Sequence, residues 1–358
     1  MKNDFFHIRP IGFGLAVLGF LTVMPSWASG RQQLQGHVPA DVATALMVGD
    51  VDDSQSLHLA VGLPLRHQDD LKSLIQNLYD PHSSQYRRYL TPDQFAQMFG
   101  PTPEDYQKLR EFFESNGLSV VGTSPNRLLL DLTATAADAR RVFHVTLHNY
   151  RRADGTQFYA PDSEPSVDLD LPISRVSGLD NAAAPHSNLI LKGPVEINPA
   201  GGSTGLKRSP NTGTGPGGTY WGSDFRNIYV PCTSQTGTGQ NIALFELDTY
   251  KAANITNYEN DTGIGSPSLT KVTVGNAIKR PGSGEVEVEL DIEMAMSMAP
   301  GAGIYVYENP GDSSAELDDL LNAIANPTSP NPLCYEISSS WSWTGNFDEN
   351  VPPIFQQY

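Results

Sequence analysis

The sequence predicts an α/β protein with two globular units. The first, residues 40–180, is predicted to be α+β with a ferredoxin-like order; the second, residues 219–358, is predicted to contain a mainly parallel sheet. A chain of 358 residues usually forms about two domains. Glycine, proline and serine clusters without apolar periodicity fill residues 182–218 between the units. Strand-like and helix-like patterns alternate on both sides of that segment, which indicates two separate folded units.

Residues 1–28 are predicted to be a secretory signal peptide. Lys2 and Arg9 precede an apolar run, and the small residues Ser26 and Ala28 stand at positions −3 and −1 of a cut after Ala28. The run, residues 11–24, spans roughly 14 residues and is shorter than a typical membrane span. We therefore expect a secreted protein, extracellular or periplasmic, with no membrane partner. An uncleaved anchor is the alternative.

Helix caps and alternating apolar residues define the first unit. Thr91 and Thr102 each precede a proline and predict capped helix starts, and Gly117 predicts a helix end. The predicted elements are strand 56–63, helix 68–79, helix 106–116, strand 118–122, strand 127–133, helix 135–143 and strand 145–151. Apart from the additional capped turn after Thr91, their order is that of a ferredoxin-like split βαβ unit. No pattern in this unit indicates catalysis.

Residues 181–218 are predicted to be an exposed linker that proteases can cut. Lys207 and Arg208 offer a basic processing site, although an ordinary charged loop has the same composition. A signal peptide, a compact unit, a cuttable linker and a second unit form the layout of a zymogen. A secreted two-domain binding protein would have the same outline.

In the second unit, strand-like and helix-like segments alternate. Residues 241–247 are apolar on both faces, as in a buried parallel sheet. Gly237 and Gly239 precede this strand, whereas a dinucleotide-binding loop needs its glycines after the strand, so the pattern argues against a Rossmann cofactor site. The further predicted elements are helix 252–261, strand 271–274, helix 284–300, strand 303–307, helix 314–325 and strand 333–340.

Residues 285–293 carry an acidic side chain at every second position. On a helix, Glu287 and Asp291 share one face, and Glu289 and Glu293 form a second such pair. Like charges this close raise at least one pKa, which suits acid–base chemistry below neutral pH. The alternation also fits a half-exposed strand or a solvated acidic face. The apolar residues that follow favour a buried helix.

Charge and cysteine content exclude two classes of site. The net charge of −17 leaves no basic surface for phosphates, so we expect no nucleic-acid partner. Cys232 and Cys334 do not form a zinc site without clustered histidines. Their spacing leaves open whether they pair.

The acidic segment resembles a known motif. Residues 287–293, followed by residues 299–302 (Ala-Pro-Gly-Ala), are similar to the Glu-x-x-Leu-Asp helix of the sedolisin/kumamolisin family of serine-carboxyl peptidases. Residues 40–180, with Tyr-Arg-Arg-Tyr-Leu-Thr at 86–91, resemble that family's activation prodomain. Residues 237–247 resemble the first strand of its subtilisin-like catalytic domain, and residues 337–341 resemble its Ser-x-Ser-Trp strand.

This resemblance implies roles for specific residues. Glu287 would be the general base toward a serine, Asp291 would hydrogen-bond that glutamate, and Glu246 would be an auxiliary acid. An ordinary strand-end carboxylate is the alternative for Glu246. A carboxylate base still accepts protons near pH ~4, where histidine is protonated. The strand that contains Ser338, Ser339, Ser340 and Trp341 would bind a polypeptide substrate by strand addition, although Ser342 replaces the usual glycine.

The family's nucleophile and oxyanion aspartate lie in Gly-Thr-Ser and Ser-Gly-Asp motifs that residues 219–358 do not match. We expect both motifs, and the family's calcium ligands, to lie beyond Tyr358. The chain as given would then be inactive and would hold no cofactor. We expect an intramolecular contact between prodomain and catalytic unit that separates in acid as carboxylates take up protons. The alternative is a non-enzymatic secreted binding or inhibitory protein from a truncated gene.

Overall fold

A computed structural model describes residues 31–183, 185–190, 213–343 and 350–357. The predicted signal peptide at 1–28 and the basic pair Lys207 and Arg208 lie outside these ranges. Within them, none of the helices has the length and apolar character that a membrane span requires.

The first unit contains three small antiparallel sheets. Its strands are β1 (Gln32–Gln33), β2 (Leu46–Asp50), β3 (Ser56–Gly62), β4 (Ser119–Thr123), β5 (Leu129–Thr135), β6 (Leu147–Arg151), β7 (Gln157–Pro161), β8 (Ser166–Val167) and β9 (Arg175–Ser177). Its helices are α1 (Gln68–Tyr79), α2 (Pro92–Met98), α3 (Pro103–Ser115) and α4 (Ala136–Phe143). The sheets have the strand orders β4-β5-β3-β9, β2-β6-β7 and β1-β8.

The capping residues act as predicted. The Thr91 hydroxyl accepts the Gln94 N–H at 3.2 Å, and the Gln94 side chain accepts the Thr91 N–H at 2.9 Å, which completes a capping box. The Thr102 hydroxyl accepts the Asp105 N–H at 3.0 Å. Gly117 follows α3 with φ +85°, the left-handed conformation that favours glycine. These local signals therefore confirm both helix starts and the helix end.

The predicted ferredoxin-like order is met only in part. The order β4-β5-β3 has the split βαβ arrangement, but β6 pairs with β2 and β7 instead of joining this sheet. The short strand β9 takes the edge beside β3. One reason is that Tyr150 of β6 stacks on Phe158 of β7 with ring centroids 5.4 Å apart, and both rings are buried with Ala182. These aromatic contacts give β6 its own small core.

A mainly parallel sheet organises the second unit, as predicted. The strands of the second unit are β11 (Asn241–Glu246), β12 (Leu269–Thr273), β13 (Gly303–Glu308), β14 (Glu336–Ser338) and β15 (Trp341–Trp343). Strand β10 (Pro185–Ser187), from the preceding segment, pairs with β15 in a separate two-stranded sheet. The helices of the second unit are α5 (Gly222–Tyr229), α6 (Ala252–Thr262), α7 (Glu285–Met298), α8 (Ser314–Ala325) and α9 (Val351–Gln357). The order β12-β13-β11-β14 is parallel throughout.

Helices cover both faces of the parallel sheet. Leu244 of β11 packs toward Val288 and Ile292 of α7, whereas its neighbour Phe245 packs toward Leu320 of α8. Alternate side chains of one strand therefore enter two cores, which explains why the β11 sequence is apolar on both faces. Burial of such a side chain contributes about 1.5–3 kcal/mol.

Helix α8 also forms the contact with the first unit. The Ser177 hydroxyl of β9 donates to Asp318 Oδ2 at 2.6 Å, and the Gly178 N–H donates to Ser314 Oγ at 3.1 Å. His58 Nε2 of β3 lies 2.6 Å from Asp319 Oδ2. The edge of the first unit's main sheet is thus fastened to one helix of the second.

Asp131 of β5 holds a proton up to about pH 8 and is buried next to Asp319 of α8 at this contact. Asp131 Oδ1 and Asp319 Oδ1 are both buried and have no other hydrogen-bond partner. Burial, followed by the neighbouring Asp319 charge, raises the pKa of Asp131 to about 8. A proton between the two carboxyls satisfies both oxygens, since two adjacent carboxylates cannot both stay ionised at low cost.

Raising the pH from 5 to 8 should weaken this contact. Because the folded-state pKa of Asp131 is raised from 3.8 to about 8, the stabilisation is complete below 3.8 and is lost as the pH rises through about 8. We expect amide-exchange protection of α8 to fall by up to about tenfold per pH unit. In Asp131→Asn the amide cannot lose a proton, so the fall should be absent; an equal fall in both proteins would contradict the shared proton.

Candidate active site at the start of helix α7

The predicted acidic residues meet where β11 ends and α7 begins. Glu246 is the last residue of β11, and Glu287 and Asp291 lie in the first two turns of α7. Parallel sheets place their binding sites at the carboxyl ends of their strands, which is where this cluster lies. Ser340 and Trp341, at the start of β15, complete the group.

Glu246 and Asp291 are joined through a network that includes β15. Trp341 Nε1 donates to Glu246 Oε2 at 2.8 Å, and the Ser340 hydroxyl donates to Asp291 Oδ1 at 2.9 Å. The remaining oxygens, Glu246 Oε1 and Asp291 Oδ2, are buried without another partner. A proton held between these two oxygens satisfies both.

Burial keeps this network protonated. Glu246 is fully buried, and burial, together with the charges of Asp291 and Glu287, raises its pKa to about 9. Burial also raises the pKa of Asp291, to which the Glu287 charge contributes. The Glu287 charge therefore contributes to the raised pKa of Asp291, as expected for two acidic residues one turn apart on α7. At neutral and acid pH Glu246 is a neutral acid that donates toward Asp291.

Glu287 is the buried carboxylate that faces segment 185–190, the segment that pairs with β15. Only 4% of its surface is exposed. Its Oε2 accepts a hydrogen bond from the Ser187 hydroxyl and another from the Leu189 N–H at 3.1 Å. Glu287 therefore binds a serine hydroxyl and a backbone amide of the segment that precedes the second unit.

The second acidic pair on α7 turns away from this cluster. Asn254 Nδ2 donates to Glu289 Oε1 at 2.8 Å, and the Lys251 N–H donates to the same oxygen at 3.2 Å. Burial and the Glu289 charge raise the pKa of Glu293 to about 7. Glu289 therefore belongs to the contact between α6 and α7, and its charge acts on Glu293.

Strand β15 carries strand β10, which comes from the segment between the two units. Strand β10 pairs with β15 in antiparallel register, with Ser187 opposite Trp341 and Pro185 opposite Trp343. The Asn188 N–H then donates to the Ser340 carbonyl at 3.1 Å. The strand predicted to bind a substrate backbone therefore carries an added peptide strand that leads directly to Glu287.

The four predicted substrate-binding residues divide into two groups. Ser338 pairs with Leu244 inside the parallel sheet, and Ser339 Oγ accepts the Trp341 N–H at 3.4 Å. Ser340 and Trp341 contact both the acidic network and the added strand. The Ser342 hydroxyl, at the position of the usual glycine, accepts from Asn188 Nδ2 at 2.9 Å.

Segment 185–190, within the predicted exposed linker, pairs with β15 and keeps residues 186, 188 and 190 exposed. It is held by backbone pairing to β15 and by Glu287, and apolar burial contributes little. Edge pairing of this kind leaves no apolar periodicity in the sequence. Residues 184 and 191–212, the rest of the predicted linker up to Thr212, lie outside the described residues.

Asp248 is a site residue that the sequence analysis missed. It is buried two residues beyond Glu246, and its carboxylate accepts the N–H groups of Gly282 at 2.9 Å and Gly284 at 2.8 Å. Gly284 precedes α7, and a Cβ there would lie 2.5 Å from the Trp341 ring. Asp248 thus fixes the turn that starts the helix of Glu287. Its spacing from Glu246 at a strand end is the one signal in the sequence.

Replacement of Asp248 by Ala should destabilise the start of α7. The amides of Gly282 and Gly284 would lose their acceptor, and an unpaired buried donor such as the Gly284 N–H costs about 1–3 kcal/mol, whereas water can reach the exposed Gly282. We expect a lower free energy of unfolding in urea and faster exchange of the Gly284 amide. Asp248→Asn, which keeps one acceptor oxygen, should lose less, and Asp261→Ala on the exposed face of α6 should lose little. Equal stability of Asp248→Ala and the wild type would contradict this role.

Other chemistry-bearing residues are dispersed. Within the described ranges, no group of three or more histidine, cysteine, aspartate or glutamate side chains is arranged to hold a metal ion. Cys232 is exposed, Cys334 is buried, and the two are not bonded to each other.

The chain is similar to one known domain family and to several known proteins. The family described as Pro-kumamolisin, activation domain, matches residues 43–182. Xanthomonalisin from Xanthomonas sp. (strain T-22) is 27% identical over 226 residues, which are 62% of this chain and 26% of that protein. Sedolisin from Pseudomonas sp. (strain 101) is 30% identical over 137 residues, 38% of this chain and 23% of that protein. Kumamolisin from Bacillus sp. (strain MN-32) is 27% identical over 334 residues, 90% of this chain and 57% of that protein. The chain spans less than two thirds of each relative's length.

Proposed function

We propose that this chain, whose residues 43–182 match the pro-kumamolisin activation domain and which is similar to xanthomonalisin and kumamolisin, is part of the precursor of a secreted serine-carboxyl endopeptidase that acts on polypeptides in acid. The observation that carries this proposal is the position of Glu287. Its carboxylate accepts a hydrogen bond from the Ser187 hydroxyl. Ser187 is the last residue of strand β10, which pairs with β15.

In this proposal Glu287 is the general base. It takes the proton from the hydroxyl of a nucleophilic serine while that oxygen attacks the peptide carbonyl, and later returns the proton to the leaving amine. We place the serine, and the aspartate that stabilises the oxyanion, in sequence that follows residue 358. The contact between Ser187 and Glu287 supports this geometry, since it has the same donor and acceptor.

Asp291 and Glu246 would tune this base. Asp291 lies one helical turn from Glu287, and Glu246, whose pKa is raised to about 9 by burial, would stay protonated and donate a hydrogen bond to Asp291. A histidine base would be protonated below about pH 6.5 and could not accept a proton there. A network of carboxyls therefore suits an enzyme that works in acid. Calcium, which the family resemblance implies, enters no step of this proposal.

The first unit would keep the precursor inactive. Strand β10 fills the position on β15 that a substrate would take, and Ser187 and Leu189 occupy Glu287 Oε2. We propose a signal peptide at 1–28, an activation prodomain at 40–180, a linker with the processing site at 181–218, and a subtilisin-like catalytic portion at 219–358. Activity would require displacement of residues 185–190 from the cleft.

The pairing of β10 with β15 also favours an alternative function. A non-enzymatic secreted protein could use the first unit as a binding or inhibitory module, because this unit leads directly into a strand that fills a peptidase-like cleft. The peptidase function requires that the gene encode the nucleophilic serine, whereas the binding or inhibitory function does not.

The coding DNA beyond codon 358 tests the proposal. An in-frame continuation with Ser-Gly-Asp and Gly-Thr-Ser motifs, expressed in full, should degrade protein at pH ~4. Substitution of its motif serine by Ala should abolish that activity. A stop codon directly after Tyr358 would overturn the peptidase function and leave the binding-module alternative.

A further inference from the structure

We propose that His37 is an acid-sensitive latch of the first unit. When its ring takes up a proton, residues 34–37 open from strand β9 and the contact of β9 with helix α8 loosens. The opening itself is a property of the described chain. Only its consequence, release of the strand that fills the cleft, rests on the proposed function.

His37 is buried in a position that requires the neutral ring. Only 2% of the residue is exposed. Its Nε2 accepts the backbone N–H of Val176, in β9, at 3.1 Å. The ring proton must therefore be on Nδ1. A second proton on Nε2 would face an N–H donor, so the protonated ring cannot keep this hydrogen bond.

The charges around His37 do not favour its cation. Arg175 lies in β9, next to Val176, and its guanidinium donates to the Gly36 carbonyl at 3.0 Å. Its positive charge would repel a protonated His37 ring. The Glu164 carboxylate lies 3.7 Å from Nδ1, and it accepts the His37 backbone N–H at 2.9 Å. Burial first, and Arg175 second, lower the pKa of His37 to about 3, and the Gln35 backbone opposes this only in part.

Three further carboxylates line a cavity of about 130 Å³ beside this segment, and each is engaged elsewhere. Asp41 pairs with Arg152 at 2.7 Å. Asp180 accepts the Ala182 N–H at 3.0 Å, and Asp318 accepts the Ser177 hydroxyl at 2.6 Å. Glu164 is thus the nearest anion to the ring, and its partial exposure limits the compensation that it provides.

The direction of the pH effect follows from the depressed pKa. The stabilisation that neutral His37 provides is fully present above the ordinary pKa of 6.5 and is lost as the pH falls from 6.5 toward about 3. Asp131 acts in the opposite direction, because its shared proton stabilises the contact most strongly in acid. The expectation that interface carboxylates separate the units in acid therefore does not hold at this pair, and His37 supplies an acid trigger instead.

Strand β9 connects the latch to the cleft. Val176 binds His37, and the next residue, Ser177, binds Asp318 of α8. Strand β9 is the edge strand beside β3, and the segment of His37 adds one backbone hydrogen bond to it besides its contacts with α8. The chain leads from β9 to β10, which fills the cleft.

His37→Gln tests the latch, since the Gln amide oxygen can accept the Val176 N–H but does not titrate. Amide exchange is measured between pH 7 and 4 on peptides covering residues 34–38 and 175–178 and corrected for the chemical exchange rate. In the wild type, protection should fall by up to about tenfold per pH unit below 6.5, which corresponds to one proton bound on opening. In His37→Gln this slope should be nearly absent, whereas in the matched control His82→Gln, at an exposed histidine, it should be unchanged.

The same slope in His37→Gln and the wild type would overturn the proposal. If the variant is already unprotected at pH 7, nitrogen NMR of histidine-labelled wild type decides. A ring of His37 with its proton on Nδ1 that does not titrate between pH 7 and 5 supports the latch, and a ring that titrates near 6.5 overturns it. Lack of peptidase activity in the complete protein would contradict the proposed function and leave these results unaffected.

Discussion

Replacing Glu287 by Gln in the complete protein will lower kcat/KM for a protein substrate at pH ~4 by about 10²–10⁴-fold, the range that general acid–base groups contribute. The amide has the size of the carboxyl group and can still accept the hydrogen bond that Ser187 makes. It cannot take a proton from a serine. The loss should therefore appear in kcat while the protein keeps its free energy of unfolding.

Glu289→Gln is the matched control for this experiment. It lies on the same helix, but its carboxylate binds Asn254 and the Lys251 backbone on the side of α6. It should keep kcat/KM within a few fold of the wild type. If Glu289→Gln were as inactive as Glu287→Gln, charge loss anywhere on α7 would explain both, and the assignment of the base would fail.

Replacing Glu246 by Leu will destabilise the site strongly, whereas Gln will be tolerated. Leu leaves Trp341 Nε1 without its acceptor and Asp291 Oδ2 without its shared proton. Each buried unpaired polar group costs about 1–3 kcal/mol, so the free energy of unfolding should fall by about 2–5 kcal/mol. Urea unfolding followed by tryptophan fluorescence measures this loss.

Gln mimics the form of Glu246 that exists in the protein. Because burial raises the pKa of Glu246 to about 9, the side chain is neutral at pH 4–7, as an amide is. The Gln oxygen can accept from Trp341 and its NH₂ group can donate to Asp291. Damage by Gln as large as that by Leu would mean that the ionised carboxylate is needed, which contradicts the shared proton.

The parts of this fold that sequence predicts well are those whose signals are local. The bounds of α1 and α8 agree with prediction to the residue, because apolar spacing within each helix defines them. The caps at Thr91 and Thr102 lie within four residues of their partners. The parallel sheet also follows from local patterns, since its central strand is apolar on both faces.

Elements that depend on distant partners are not predictable in this way. Strand β9 contains only three residues and is defined by pairing with β3 and by contacts to α8. Strand β10 is defined by β15, far away in sequence. For the same reason the alternation of residues 56–63 cannot show which strand lies at their edge, and the fourth strand of the ferredoxin-like order was assigned wrongly.

The candidate site shows the same division. Helical spacing places Glu287 and Asp291 on one face of α7, and their joint location is as predicted. Glu246 remained ambiguous in sequence, and its bond to Trp341 places it in the acidic network. Asp248 was missed because its partners are backbone amides, which every residue except proline carries.

The strand on β15 has a kinetic consequence. As long as residues 185–190 are covalently attached, they face the cleft at an effective concentration that is typically in the millimolar range for short tethers. A tethered peptide whose Kd lies well below this effective concentration then fills the site almost completely. A single backbone cut converts it into an ordinary bimolecular competitor that dilution removes. The fraction of open clefts after cutting should therefore rise as the protein is diluted, and before cutting it should be independent of concentration.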